Sequence, residues 1–157
     1  MDALAGPMKA ITRLKAALVG EPLELPAVLL ERFPELADAR WRRGGLFVRI
    51  GGWCLGTSSV AGITLWRTVW LAPGVHPRPH LLLHELRHVH QFGERWLFPL
   101  QYMWQSLRHG YRRNRFETDA EHFAHQRVDA VLAQFAPSSS STSNPPAPWS
   151  STPPPRS

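Results

Sequence analysis

The spacing of apolar residues near the N-terminus is typical of amphipathic helices. The first such segment has four apolar residues on one helix face: Ala10, Leu14, Ala17 and Leu18. Gly20 and Pro22 end this segment, and a second short helix is predicted after Pro26 that reaches Phe33. We therefore expect residues 1–40 to form an N-terminal helical segment that packs on the core.

Between residues 46 and 71 the pattern changes to one that is typical of β-strands. Residues 46–50 form a short apolar run that stops at Gly51 and Gly52, and the Gly-Thr-Ser-Ser segment at 56–59 indicates a turn. Residues 64–71 are rich in β-branched and aromatic side chains that alternate between two faces. Two strands are therefore predicted here.

Helical spacing returns after Pro79. A helix is predicted from His80 to about Gln91, which continues or restarts through residues 94–107, and a last helix is predicted over residues 114–135. A small antiparallel or mixed sheet followed by long helices predicts an α+β domain, which we place at residues 41–136.

Composition sets the limits of the folded part. The chain has 157 residues, of which 43% are hydrophobic, enough for one domain with a buried core. Residues 137–157 are mostly Ser, Pro and Thr and predict a disordered tail. The single cysteine excludes an intramolecular disulfide framework and a cysteine-rich zinc ribbon.

Charge and histidine content are both concentrated in the middle of the chain. The net charge is +6, but residues 40–115 carry 12 arginines and two acidic residues, whereas residues 1–39 and 116–157 each carry a net charge of −2. A basic middle suggests contact with a polyanion or a membrane surface. All eight histidines lie between His76 and His125, which indicates a site.

The sequence His84-Glu85-Leu86-Arg87-His88 is an H-E-x-x-H motif. Residues i and i+4 share one helix face, so both imidazoles can bind one zinc ion. The Glu85 carboxylate, one position after the first ligand, can act as general base towards a zinc-activated water. The motif therefore predicts a catalytic zinc site with one Zn²⁺ per chain.

A catalytic zinc site needs a third protein ligand, and the candidates lie downstream. Glu117 lies 29 residues after His88, and Glu121 follows one helical turn later. If Glu117 binds the metal, Glu121 can hydrogen-bond a ligand imidazole and orient it. His122 and His125 are alternative third ligands, and Asp119 is expected to point away into solvent.

Two segments resemble a known group of proteins. The H-E-L-x-H-V-x-Q helix at residues 84–91 and the segment from Tyr111 to Ala120 resemble compact bacterial zincin-like metallopeptidases of the glutamate type. These include the radiation-response and phage-antirepressor metallopeptidases and the metallopeptidase-like domain of contractile injection particles. The resemblance covers about residues 60–130.

The resemblance implies a minimal zincin fold and hydrolysis of peptide bonds in a peptide or protein substrate. His84, His88 and Glu117 would be the zinc ligands, and Glu85 would be the general base. The strand at residues 64–71 would then hold an extended substrate by β-addition. An ordinary sheet strand is the alternative.

Tyr111 is a candidate oxyanion donor, since a phenol can stabilise a tetrahedral intermediate. Packing against the core is the alternative for this side chain.

Other function classes remain open from the sequence. A basic cluster with aromatic neighbours suggests nucleic-acid binding: Arg108, Arg112, Arg113 and Arg115. The apolar, aromatic residues 95–108 suggest either a core-packing helix or contact with a membrane surface. A zincin-shaped binding or structural module without activity is a third class. No secretory signal or membrane-spanning run is predicted, so we expect a cytoplasmic protein, with peripheral membrane association as an option.

Overall fold

The structure is a computed structural model that describes residues 16–54 and 61–135, with the side chains of residues 51–54 and 112 outside the description. Several predicted features lie outside the described residues: most of the first helix, the turn at 56–59 and the tail at 137–157. The first helix ends at residue 19, and Gly20 follows with a φ of +76°, so its predicted end is confirmed.

The elements follow one another as β1 (Glu21–Pro22), α1 (Ala27–Arg32), β2 (Arg40–Arg43), α2 (Leu46–Cys54), β3 (Gly62–Leu65), β4 (Thr68–Leu71), α3 (Pro79–Glu94), α4 (Phe98–His109) and α5 (Arg115–Phe135). The sheet has the order β1-β2-β4-β3. β2 and β4 are parallel, and the two outer pairs are antiparallel. The predicted α+β class with a small mixed sheet is confirmed.

The prediction of a strand over residues 46–50 is wrong, because this run begins α2. A strand would place Leu46, Val48 and Ile50 on one face and bury them together. Instead Val48 is buried, whereas Leu46 is 40% exposed and Ile50 is 46% exposed. A short apolar run does not distinguish helix from strand by its period. Gly51 and Gly52 lie inside the helix instead of ending the element.

The single strand predicted over residues 64–71 is a β-hairpin. β3 and β4 pair from Gly62 with Leu71 to Leu65 with Thr68, so a two-residue turn at Trp66 and Arg67 joins them. Trp66 has a φ of +57°, a conformation that bulky residues seldom adopt. A turn at this residue is therefore not predicted from the sequence. β4 is central in the sheet and β3 is an edge strand.

The core lies between the sheet, α3 and α5. One hydrophobic cluster joins residues from all of these layers: Phe33, Leu36, Ala39, Trp41, Val69, Leu71, Leu82, Leu83, Leu86, Val89, Ala124 and Val131. Phe33 and Leu36 belong to the N-terminal 40 residues, so that segment shares the core and also supplies β1. α3 is therefore fixed on both sides, by the sheet and by α5.

The helical region after Pro79 divides into separate helices. α3 ends at Glu94, α4 begins at Phe98, and Gly110, with a φ of +79°, follows α4. None of the helices in the described ranges combines the length and apolar character needed to cross a bilayer.

Candidate metal centre

α3 and α5 are the two helices that carry the predicted ligands, and they pack closely. Ala120 and Ala124 on α5 are fully buried, and Ala124 lies in the same cluster as Leu83 and Leu86 of α3. Small side chains at this contact let the two helix backbones approach. The histidines of α3 and the carboxylates of α5 therefore face each other across a narrow gap.

His84, His88 and Glu117 each offer one ligand atom, and these atoms lie within 4.8 Å of one another. His84 Nε2 is 3.3 Å from Glu117 Oε2, and His88 Nε2 is 3.2 Å from Glu117 Oε1. A tetrahedral zinc ion with ligands at ~2.0–2.2 Å separates neighbouring donor atoms by roughly 3.3–3.6 Å. Each of the two separations lies near this range, although they end on different carboxylate oxygens, and the two-imidazole, one-carboxylate chemistry suits zinc.

The proton on His88 is assigned by a chain of hydrogen bonds. The Gln91 amide nitrogen donates to Phe116 O (3.1 Å) and to Asp119 Oδ2 (2.8 Å), so its oxygen is the atom that faces His88 Nδ1 at 2.8 Å. His88 Nδ1 must then donate, because the amide oxygen only accepts. In the neutral imidazole the lone pair is therefore on Nε2, which points towards Glu117 and is the nitrogen suited to a metal. When the imidazole is protonated instead, the proton on Nε2 donates to Glu117.

Asp119 is exposed and lies outside the ligand cluster, as the sequence predicts, but it also has a structural role. Its side chain is about half exposed, but Oδ2 accepts hydrogen bonds from Gln91 and from Arg87 Nε at 2.7 Å. Burial acts against the charged form, yet the hydrogen bonds from Gln91 and Arg87 hold the pKa of Asp119 below its usual value. Asp119 therefore anchors the amide that orients His88.

Glu117 receives a hydrogen bond from a residue that carries no motif. Tyr102 on α4 donates its hydroxyl to Glu117 Oε1 at 2.6 Å. Burial would raise the pKa of the Glu117 carboxyl, but hydrogen bonds from His84 and His88, the charge of His88 and the Tyr102 hydroxyl together lower it far below its usual range. Burial and the charge of Glu117 raise the pKa of Tyr102, so the phenol stays a donor. Glu117 is thus held as a fixed carboxylate.

Glu121 occupies the position that the sequence assigned to it. Its Oε2 atom lies 3.3 Å from His84 Nδ1, the nitrogen that does not face Glu117. The contact between a carboxylate and the outer nitrogen of a ligand imidazole fixes the ring orientation and its tautomer. Both histidines of the motif therefore have a polar partner on Nδ1 and face Glu117 with Nε2.

Glu85 is buried, with 6% of its side chain exposed, and it contacts the edge strand β3. Thr64 donates its hydroxyl to Glu85 Oε2 at 2.6 Å. Burial disfavours protonation of His88, but its hydrogen bond to the Glu117 carboxylate and the charges of Glu85 and Glu117 raise its pKa. Glu85 is therefore held against β3, and its charge acts on His88.

Tyr111 lies in the short turn between α4 and α5 and is 43% exposed, so it is not packed into the core. Burial and the neighbouring charge of Glu117 raise its pKa, which keeps the phenol protonated. Tyr111 and Tyr102 are therefore both proton donors near Glu117.

The start of α5 is fixed by Asn114, which is fully buried. Its side-chain oxygen accepts a hydrogen bond from the Phe116 backbone at 3.0 Å, and its side-chain nitrogen donates to Ser106 Oγ and Tyr102 O on α4. An asparagine in this position caps the helix. Because Glu117 follows three residues later, the cap also sets where its carboxylate enters the site.

A substitution at Gly62 tests the position of Glu85. A Cβ atom on Gly62 would lie 2.7 Å from Glu85 Oε1, so alanine must displace the carboxylate. Because the displaced atoms end a flexible side chain, we expect a small change in the free energy of unfolding. We expect zinc content to persist, and we expect the peptide hydrolysis that the motif predicts to fall by about 10²-fold, the order expected when a catalytic group moves by about 1 Å.

Gly93→Ala is the matched control, since a Cβ there meets no atom within 4 Å. Zinc analysis and cleavage rates are measured on both variants. If Gly62→Ala hydrolysed peptide at the wild-type rate, the placement of the Glu85 carboxylate against β3 would not matter for its role as general base.

The other predicted residues fall into two groups. His125 lies with His80 and Glu121 in a second donor cluster, and His122 joins neither cluster among the described residues. The basic residues Arg108, Arg113 and Arg115 are exposed, and Arg115 stacks over the Phe116 ring at 4.7 Å. The cluster of ligand atoms thus contains Glu117 and neither of the histidines weighed against it.

Comparison with known proteins adds no assignment: no family model matches the chain, and neither the curated proteins nor the solved structures contain a significant match.

Sequence reasoning assigned no role at the site to four residues that hold it together: Thr64, Gln91, Tyr102 and Asn114. Asn114 had a readable signal, because an asparagine before a helical segment is a common cap. Gln91 lies one turn beyond His88 on the same helix, which is a second readable signal. Thr64 and Tyr102 act across elements, and only the packing of α3 against β3 and of α4 against α5 reveals them.

Proposed function

We propose that this protein is a zinc-dependent metallopeptidase with a zincin-like arrangement. The observation that carries the proposal is that ligand atoms of His84, His88 and Glu117 lie within 4.8 Å of one another, together with a buried Glu85 on the helix that carries both histidines. When bound, zinc supplies a Lewis acid that activates water for attack on a carbonyl. A cytoplasmic location stays a prediction from the sequence.

Three side chains of the protein would carry out proton transfer, orientation of the base and stabilisation of the oxyanion. Glu85 accepts the proton of the attacking water and can return it to the leaving amine. Thr64 holds the Glu85 carboxylate by a hydrogen bond, so the base is oriented before substrate arrives. Tyr111, which is protonated and partly exposed, donates to the oxyanion that develops on the carbonyl oxygen.

β3 is the proposed docking strand for an extended peptide. It lies at the edge of the sheet, and among the described strands it pairs only with β4. Its Thr64 side chain contacts the general base, so a peptide added along this edge would pass close to Glu85. Main-chain hydrogen bonds to β3 would provide affinity that depends little on the substrate sequence.

The test of this proposal is cleavage of a peptide library by the full chain, with new termini identified by mass spectrometry. We expect cleavage that stops when a chelator removes the metal and returns with one equivalent of Zn²⁺. A zinc-loaded protein that leaves the library intact would support the alternative, a zincin-shaped module without activity. A protein that cleaves equally well with and without zinc would contradict the proposal.

One observation supports a second candidate function, contact with an anionic membrane surface. α4 and the turn before it expose a row of large apolar side chains at helical spacing: Trp96, Leu100, Met103, Trp104 and Leu107. A buried core helix would not expose such a face, and exposed arginines at 95 and 108 flank it. Trp and Arg side chains suit the interface of a bilayer that carries negative charge.

Vesicle co-sedimentation checks this second function. We expect the protein to bind vesicles that contain phosphatidylserine more strongly than neutral vesicles. Trp104→Ser should weaken binding several-fold, whereas Leu132→Ser, which removes an exposed apolar side chain from α5, should not. Equal binding by Trp104→Ser and the wild type would exclude this face. Retention on nucleic acid in place of vesicles, lost at high salt, would instead favour the arginine cluster as a phosphate-backbone site.

A further inference from the structure

A second set of potential ligands lies beside the first on the same two helices. His80 on α3, and Glu121 and His125 on α5, offer ligand atoms within 4.8 Å of one another. His80 Nε2 lies 3.4 Å from Glu121 Oε1, and His125 Nε2 lies 3.2 Å from the same oxygen. These separations match neighbouring donors around a tetrahedral ion at ~2.0–2.2 Å.

The cluster follows from the spacing of both helices. On α3 a histidine recurs every four residues, at His80, His84 and His88. On α5 the facing ligands also recur every four residues, at Glu117, Glu121 and His125. Residues four apart share a helix face, so two packed helices bring these side chains together one turn after another. The second cluster is the next turn of the same pattern.

His80 provides an independent sign of a missing partner. Its Nε2 atom is shielded from solvent, although the side chain as a whole is 37% exposed, and it makes no hydrogen bond in the described part of the chain, with Glu121 Oε1 at 3.4 Å. A buried polar atom without a partner costs free energy, which a ligand would remove. The rings of His80 and His125 also lie close, with centroids 4.4 Å apart. The two imidazoles are therefore already adjacent.

We propose that His80, Glu121 and His125 form a second metal site for a divalent transition cation such as Zn²⁺. Two imidazoles and one carboxylate suit zinc, nickel or copper, whereas Mg²⁺ and Ca²⁺ prefer oxygen ligands. The site does not depend on the proposed peptidase activity. Its ligands are more exposed than those of the first cluster, so the second ion binds more weakly.

Glu121 links the two sites. Its Oε1 atom faces His80 and His125, while its Oε2 atom lies 3.3 Å from His84 Nδ1. The two carboxylate oxygens therefore contact different neighbours, so Oε1 can bind a cation while Oε2 orients His84. Both clusters also border one open cleft, which Glu117, Thr118 and His122 help to line. A cation in solution can reach the second site through this cleft.

The test is equilibrium dialysis of the untagged, full-length, metal-free chain against Zn²⁺, with metal analysis of the protein. We expect the wild type to bind two ions per chain, one tightly and one at least tenfold more weakly. His80→Ala and His125→Ala should each lose the weaker ion and keep the tight one. His88→Ala should lose the tight ion and keep the weaker one, and millimolar Mg²⁺ should displace neither.

His109→Ala is the matched control, since this exposed histidine at the end of α4 belongs to neither cluster. It should bind two ions. The proposal is overturned if His80→Ala and His125→Ala bind as many ions as the wild type. A wild type that binds one ion, lost in His88→Ala and kept in His80→Ala, also overturns it. A wild type that binds one ion, lost in His80→Ala and His125→Ala and kept in His88→Ala, would instead count against the first site and support the second.

Discussion

Glu85→Gln is expected to abolish peptide hydrolysis while the protein keeps its tightly bound zinc ion. Glutamine has nearly the same shape as glutamate but cannot accept the proton of the attacking water. Loss of a general base costs about 10²–10⁴-fold in rate. Because Glu85 is absent from the cluster of ligand atoms, its replacement leaves the donors of the first site in place. Cleavage rate and zinc content are measured on the same preparation.

Glu94→Gln is the control for this substitution. Glu94 lies on the same helix but is half exposed and pairs with Arg87. It should hydrolyse the library as the wild type does. Cleavage by Glu85→Gln within threefold of the wild-type rate would rule out Glu85 as the base.

Removal of a motif histidine is expected to cost the tight zinc ion itself. His88 has Nδ1 fixed by Gln91 and Nε2 directed at Glu117, so His88→Ala removes a ligand that is oriented before metal arrives. The affinity should fall by more than the roughly 10–100-fold that is typical for loss of an outer-shell partner. Zinc bound at the first site should raise the melting temperature of the wild type, because a ligand that binds the folded state stabilises it. His88→Ala should lose this increase.

His88 is buried against the rings of Phe98 and Tyr102, so alanine there also leaves a cavity. His84→Ala is the companion variant, because His84 is less buried and its loss tests the ligand role with less disturbance of packing. Circular dichroism checks that both variants fold, and metal analysis checks their zinc. Wild-type zinc affinity in both folded variants would exclude the motif as the metal site.

The parts of the molecule that could be predicted from sequence are those that depend on local spacing. His84 and His88 share a face because any helix places residues i and i+4 together, and α3 forms where the apolar period is helical. Glu117 is a candidate because it lies 29 residues after His88, enough chain for the helix to end and a later helix to return. Its distances to both histidines depend on the close contact at Ala124, which no spacing rule supplies.

The parts that could not be predicted depend on tertiary context. Residues 46–50 have the composition of a strand, but the sheet has β2 and β3 on either side of β4, and the run forms a helix with Val48 inward. The turn at Trp66 requires a positive φ, and a tryptophan gives no sign of one in the sequence because bulky residues seldom adopt it. The second cluster became visible only once His80 and His125 were placed on facing turns of α3 and α5.

Anomalous diffraction at the zinc edge from crystals of the zinc-loaded full-length chain tests the central claim most directly. We predict a strong anomalous peak about 2.0–2.2 Å from His84 Nε2, His88 Nε2 and a carboxylate oxygen of Glu117. A zinc ion bound elsewhere, with no peak between these three side chains, or a peak ligated by His122 in place of Glu117, would contradict the account.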